Sequence, residues 1–433
     1  MRDELRADRG RDVSSGARGM AHRPLMHRAA LLPVPRLLPA LCALLIGCAM
    51  PGHPREPPDV GREQRHPLRD VVPQGLRTEV AARRAGSVVL VTIDGARWQE
   101  IFGGVDAALA RRHGLSAHEV VPADVLLPNL HRRVIARGVA IGAPGHGLIR
   151  ASGPRHVSLP GYLELLSGSA LGCTDNDCAP TKRTTILDEV RALPGVQPVD
   201  VAAVGSWEVL ERAVSCDPAS LTVSTGRSVG VSRERVRAGD GMAALLDVAA
   251  GSSPWPGHGD YRADRFTGPI ALGYLRARRP RFLFVGLGDT DEHAHRDDYR
   301  SYLHALRAAD DFVGELLDVV TDDTVVLVTA DHGRASDFSS HGRDAASSRV
   351  FLLATGGGLP VRGAVDTSDD LRLGDVATTL RALFGLPTLA HRAPIDALLP
   401  SNFDGGRLGT PDPPGREPLA SRRAEGTISR STR

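Results

Sequence analysis

The chain has 433 residues, 42% hydrophobic and 24% charged, which is enough to bury a sizeable core and far from the composition of a disordered protein. Its 53 basic residues against 51 acidic ones leave a net charge of +2, so there is no bulk electrostatic reason to bind nucleic acid. Five cysteines are too few for a disulfide framework, aromatics at 4% argue against a base-stacking platform, and no stretch reaches the ~20 apolar residues of a spanning helix.

In chain order, residues 1–47 read as a leader. They hold eight arginines against four acids, so the basic excess belongs to this segment. Met20 and Met26 are alternative starts. From Met26, a basic stretch leads into a short apolar run that ends Leu45-Ile46-Gly47-Cys48, the layout of a secretory signal. The end of that run resembles a bacterial lipobox. The resemblance implies lipidation at Cys48 and an extracytoplasmic, membrane-anchored protein on the periplasmic side of a bacterial envelope. Residues 48–84, rich in Pro and Arg, read as a tether. A catalytic domain is expected over 85–400 and a disordered tail over 401–433.

Within the domain, four apolar runs have strand length: Val88–Ile93, Phe282–Leu287, Thr324–Thr329 and Val350–Leu353. Helical spacing of apolar residues spans Tyr299 to Val320 and Asp375 to Phe384. Continuous apolar strands alternating with helices predict an α/β three-layer sandwich with a mainly parallel central sheet. Residues 216–265 lack a clear strand and are expected to form a small cap or insertion.

Three of the strand-like runs end in carboxylates or imidazoles. These are Asp94, then Asp289-Thr290-Asp291-Glu292-His293-Ala294-His295, then Asp331-His332-Gly333 followed by His341. Open α/β sheets place their sites at such strand ends, and Asp with His supplies the O and N ligands that suit Zn²⁺ or Mn²⁺.

These strings resemble the alkaline phosphatase superfamily, including its nucleotide pyrophosphatase/phosphodiesterase branch, over residues 87–395. The similarity lies in Val91-Thr92-Ile93-Asp94-Gly95, in Thr329-Ala330-Asp331-His332-Gly333 with the downstream His341, and in the terminal segment Asp375 to Pro387. It implies an alkaline phosphatase-like fold, two divalent metals and a hydroxyl nucleophile at a helix N-terminus. Ser158, in Val157-Ser158-Leu159-Pro160-Gly161-Tyr162, is the candidate nucleophile. One metal would take Asp94, Ser158, Asp331 and His332. The other would take His341 with Asp291 and His295. Asp289 and His293 fit the same spacing as the last pair. Zn²⁺ is the first choice of metal and Mn²⁺ the second. The implied activity is hydrolysis of a phosphoester substrate, as phosphatase or phosphodiesterase, through a phospho-enzyme on Ser158.

The chain also departs from the pattern. Gly161 stands where the phosphodiesterase branch carries Asn, with Arg334 or Lys182 as candidate substitutes, each otherwise a solvated charge. Ser158-x-Pro160 fits a sulfatase, but Tyr162 occupies its Arg position. Sulfate ester hydrolysis, phospho-group transfer and a non-catalytic metal-binding envelope lipoprotein are the alternative readings. Cys173 and Cys178 flank a polar turn and are candidates for a disulfide in an oxidising compartment, with two free thiols as the alternative; Cys216 is left unpaired.

Overall fold

The computed structural model describes residues 86–227, 242–368 and 371–399. The leader, Cys48, the tether and the tail expected from sequence lie outside the described residues. Among those described, no helix is long and apolar enough to cross a membrane.

Strand β1 (Val88–Ile93) is buried along its whole length, which fits a central strand covered on both faces. It pairs in parallel with β6 (Phe282–Leu287) on one side and β7 (Val325–Thr329) on the other. These are three of the four runs expected from sequence. Beyond β6 follow β4 (Val201–Gly205) and the edge strand β5 (Thr222–Thr225), both parallel. Beyond β7 come β9 (Leu352–Gly356), β2 (Val139–Ile141) and β10 (Gly363–Ala364). Only β9 runs against the rest, so the eight-stranded sheet is mainly parallel. The fourth expected run is divided. Arg349–Val350 (β8) joins a small sheet with β3 (Ile149–Arg150) and β11 (Leu371–Arg372), and the chain then enters β9.

The long amphipathic helix Tyr299–Val319 buries Tyr299, Tyr302, Leu303, Leu306, Phe312, Val313 and Leu316, close to the face expected. The terminal helix spans Leu373–Leu383. The stretch 216–265 departs from the expectation. Thr222–Thr225 forms β5 of the main sheet, and Met242–Gly251 is a helix. A four-residue strand of Thr and Ser with one Val carries too little apolar signal to read. Arg262, fully buried, donates to the carbonyls of Gly205 (2.9 Å) and Ser224 (2.7 Å) and ties this segment to the ends of β4 and β5. Residues 228–241 lie outside the described residues.

The register decides where chemistry gathers. Ile93 is level with Leu287, and Thr92 with Thr329. The residues that follow β1, β6 and β7 therefore emerge side by side at one edge of the sheet.

Candidate metal centre and nucleophile

Asp94 leaves β1 and is followed by Gly95, whose backbone is left-handed (φ 60). A Cβ on Gly95 would overlap Asp291 Oδ1, so glycine meets both the turn and the close approach. Asp331 and His332 leave β7 in the same layer. His332 Nε2 lies 3.4 Å from Asp94 Oδ1 and 3.4 Å from Asp331 Oδ2.

Ser158 opens the helix Ser158–Ser167 after an extended Val157, with Pro160 in the first turn, where a missing N–H costs nothing. Its Oγ sits 3.2 Å from His332 Nε2 and 3.5 Å from Asp94 Oδ1. Ser158 is 5% exposed as a residue, and its hydroxyl lies against the cluster.

A second group lies alongside. Asp291 Oδ2 is 2.9 Å from His295 Nε2, and His295 Nε2 is 3.0 Å from His341 Nε2. The rings of His332 and His341 stack at 4.0 Å and join the two groups. The alternative pair turns elsewhere. Asp289 Oδ1 accepts from Tyr261 Oη (2.7 Å) and the Asp264 amide (3.1 Å), while His293 packs edge-on against Trp255.

Several observations match a divalent cation. Asp331 Oδ2 is buried without a hydrogen-bond partner. His332 Nδ1 bonds the Gly333 carbonyl and His341 Nδ1 the His156 carbonyl, which fixes the tautomers with both Nε2 lone pairs facing inward. Asp94, Asp331 and His332 offer ligand atoms within 4.8 Å of one another, as do Asp291, His332 and His341. Burial, with the Asp331 and Asp291 charges, raises the Asp94 carboxyl far above its usual range. Burial and the Asp291 charge raise Asp331 likewise. Burial, reinforced by His341, pushes His332 well down. Burial also lowers His341, and the Asp291 charge raises His295. In the Asp94–Asp331–His332 group, acids driven toward the neutral form beside an imidazole driven the same way are groups that a bound dication would satisfy, whereas the Arg334 charge, against burial, holds the Asp291 carboxyl well below its usual range.

Other residues support the site without a local sequence signal. Tyr162 donates its phenol proton to Asp94 Oδ2 at 2.9 Å. Thr290 Oγ1 donates to the Asp94 carbonyl at 2.6 Å. An asparagine does reach the helix that opens with Ser158, but from elsewhere in the chain. Asn176 Oδ1 accepts from the Leu159 amide at 2.9 Å. Asn176 lies in a loop closed by the Cys173–Cys178 disulfide. Cys216 is free and exposed. At position 161 no side chain fits, because a Cβ would overlap the Asp331 carbonyl. Lys182 is a solvated charge, as weighed from sequence. Arg334 is not. It is 2% exposed, and its Nη1 donates to Asp291 Oδ1. Sequence gave no sign of that burial, because the loop that covers Arg334 folds back from residues 338–339.

The α/β fold thus gathers paired carboxylate–imidazole groups that could hold divalent metal ions at one edge of its sheet. Residues 271–388 match the model of the Metalloenzyme superfamily. The chain is similar to the phosphopentomutase of Mycoplasmopsis pulmonis (strain UAB CTIP), 43% identical over 89 residues, which are 20% of this chain and 22% of that protein. It is also similar to the phosphopentomutase of Clostridium novyi (strain NT), 29% identical over 121 residues, 28% of this chain and 30% of that one. The matches thus span less than a third of these relatives' length. A solved structure of a protein in the alkaline phosphatase superfamily from Vibrio parahaemolyticus is 14% identical, with a TM-score of 0.44 over 70% of this chain and 67% of that one. The family match and the relatives support the resemblance to the alkaline phosphatase superfamily read from the sequence. The family match contains Asp291, His295, Asp331, His332 and His341. Asp94 and Ser158 lie outside it and join the group through the tertiary structure.

Proposed function

We propose that this chain is a metal-dependent hydrolase of phosphoric esters with Ser158 as nucleophile. One observation carries the reading: the Ser158 hydroxyl, at a helix N-terminus, abuts Asp94 and His332 within a buried group of metal-ligand type. Asp94, Ser158, Asp331 and His332 would hold one divalent cation, and Asp291, His295 and His341 another. Zn²⁺ suits the mixed O and N donors best, with Mn²⁺ next. Bound there, such cations supply positive charge that makes a hydroxyl nucleophilic at neutral pH and offsets charge on a phosphoryl group.

The chain's own residues supply the rest. Ser158 Oγ attacks phosphorus in line, forming an Oγ–P bond as the bond to the leaving oxygen breaks and the alcohol departs with a proton. Water then cleaves the phosphoserine, returning the hydroxyl and releasing phosphate. Tyr162 keeps Asp94 oriented throughout.

Transfer of the phospho-group to a second acceptor is the alternative favoured by the relatives named phosphopentomutase. Sulfate ester hydrolysis and a purely metal-binding envelope role stand behind it. We further propose that Cys48 anchors the protein by lipid on the extracytoplasmic face of a bacterial envelope, which would suit hydrolysis of external esters better than intracellular sugar phosphate exchange.

A panel of nitrophenyl phosphate, bis-nitrophenyl phosphate and nitrophenyl sulfate, with Zn²⁺ or Mn²⁺, tests the activity on wild type and Ser158→Ala. Wild type should cleave a phosphate ester, and the variant should lose about 10³-fold or more while still binding metal. Tight metal binding with no ester cleaved would leave only the non-catalytic role.

A further inference from the structure

Arg334 has no part in the steps above, yet four elements converge to hold it. All three guanidinium nitrogens are engaged. Nε donates to the Phe338 carbonyl at 2.7 Å, Nη2 to the Ser339 carbonyl at 2.6 Å, and Nη1 to Asp291 Oδ1. Phe338 adopts a left-handed backbone (φ 72), which a bulky L-residue accepts only at a cost. Its ring is locked edge-on against Tyr299 at 5.1 Å and Tyr302 at 5.2 Å. That packing holds the backbone turn whose carbonyls receive Arg334. On the opposite side, Gly95 leaves room: a Cβ there would lie 3.1 Å from Nη1.

The guanidinium brings a positive charge into this group of carboxylates. It sits beside Asp291, near Asp94 and Asp331, where three carboxylates converge on the cation groups. Arg334 and a bound dication draw on the same Asp291 carboxylate, so each weakens the other's hold. The site therefore binds metal less tightly than its ligands alone would allow. It gains a fixed unit of charge that remains once metals are bound. A phosphate monoester carries up to two negative charges, whereas a diester and a sulfate ester carry one. An added fixed cation favours the dianion.

We propose that Arg334 is a fixed cation beside Asp291 that lowers the site's affinity for metal and biases it toward doubly charged phosphate monoesters over singly charged esters. The bias rests on the phosphoester reading; the effect on metal binding does not.

The test compares wild type, Arg334→Gln and Arg334→Lys as full chains. Zn²⁺ is titrated against a chromophoric chelator, and kcat/KM is measured for nitrophenyl phosphate and bis-nitrophenyl phosphate. Arg334→Gln should bind its weaker Zn²⁺ equivalent roughly tenfold more tightly, because a nearby cation is gone. Its monoester-to-diester ratio should fall roughly tenfold. Arg334→Lys, which keeps the charge, should retain both values within a few-fold. Weaker Zn²⁺ binding in Arg334→Gln, or equal loss on both esters, overturns the proposal and leaves Arg334 a brace for its loop. If the Gln variant does not fold, the Lys variant decides, since losing the ester ratio with the charge retained also overturns it. If wild type cleaves neither ester, the phosphoester reading fails while the Zn²⁺ titration still decides the role of the charge.

Discussion

Tyr162 donates its phenolic proton to Oδ2 of Asp94 at 2.9 Å, leaving Oδ1 of the same carboxylate facing Ser158 Oγ and His332 Nε2. One turn of helix separates Tyr162 from Ser158, so the helix that presents the Ser158 hydroxyl also orients its neighbouring carboxylate. Removing such a partner typically costs 10–100-fold in metal affinity or activity. Tyr162→Phe should fall by about that factor in one or both, with an unchanged circular dichroism spectrum. Wild-type values in both measurements would mean that Asp94 is oriented without the phenol.

Gly161 is required by packing. Gly161→Ala sets a Cβ against the Asp331 carbonyl, a backbone atom that cannot swing aside. The helix must then move away from β7, and Ser158 with it. Overpacking of this kind costs about 1–3 kcal/mol. Denaturant unfolding should register that loss, together with a fall in activity larger than the stability change explains.

Metal should stabilise the protein, and more so at higher pH. Burial raises the Asp94 and Asp331 carboxyls, so a cation must displace protons to bind them. At 100 to 1,000 times the dissociation constant, a ligand of the folded state adds about 3–4 kcal/mol. Zn²⁺ should raise the melting temperature of chelator-treated protein, by more at pH 8 than at pH 6. An equal shift at both values would contradict the linkage.

Glu100 offers a separate pH test. It is fully buried, and burial lifts its carboxyl to about 7 despite Arg97 and a 2.8 Å hydrogen bond from Tyr299. A folded value above the unfolded 4.5 means that folding takes up a proton between them. This contribution is fully present below about 4.5 and is lost as pH rises through about 7. The loss is on the order of 3 kcal/mol. Glu100→Gln stays neutral, so it should lose less stability than wild type between pH 5 and pH 8. Parallel declines in denaturant unfolding would sink this account.

The disulfide loop should matter to turnover. Asn176 meets the Leu159 amide from within the loop that Cys173 and Cys178 close. Reduction, or Cys173→Ser, should loosen that contact and slow ester cleavage several-fold. The same treatment of Asn176→Ala should add little, because contacts that act as one unit are not additive. Full additivity would separate the disulfide from Asn176.

Local pattern in the sequence was enough for the frame of this protein. β1, β6 and β7 are buried runs dominated by Val, Leu, Ile and Phe, interrupted only by Thr92, Gly286 and Thr329, the near-continuous apolar pattern of strands covered on both faces. Each ends in a carboxylate or imidazole string, so the location of the candidate site at their ends was also legible. The shorter strands were not, because β4 and β5 hold mainly Ala, Gly, Ser and Thr, whose burial is imposed by neighbours.

What tertiary structure alone decided is the environment of each side chain. Asp289 and Asp291 share a helix and a spacing, but packing turns Asp291 toward His341 and Asp289 toward Tyr261. Asn176 reaches Leu159 across 17 residues, Tyr162 reaches Asp94 across 68, and Arg334 reaches Asp291 across 43. Side-chain type and spacing set which residues can carry charge or protons. Burial and orientation, which set what those charges do, arise only when strands distant in sequence pair in register.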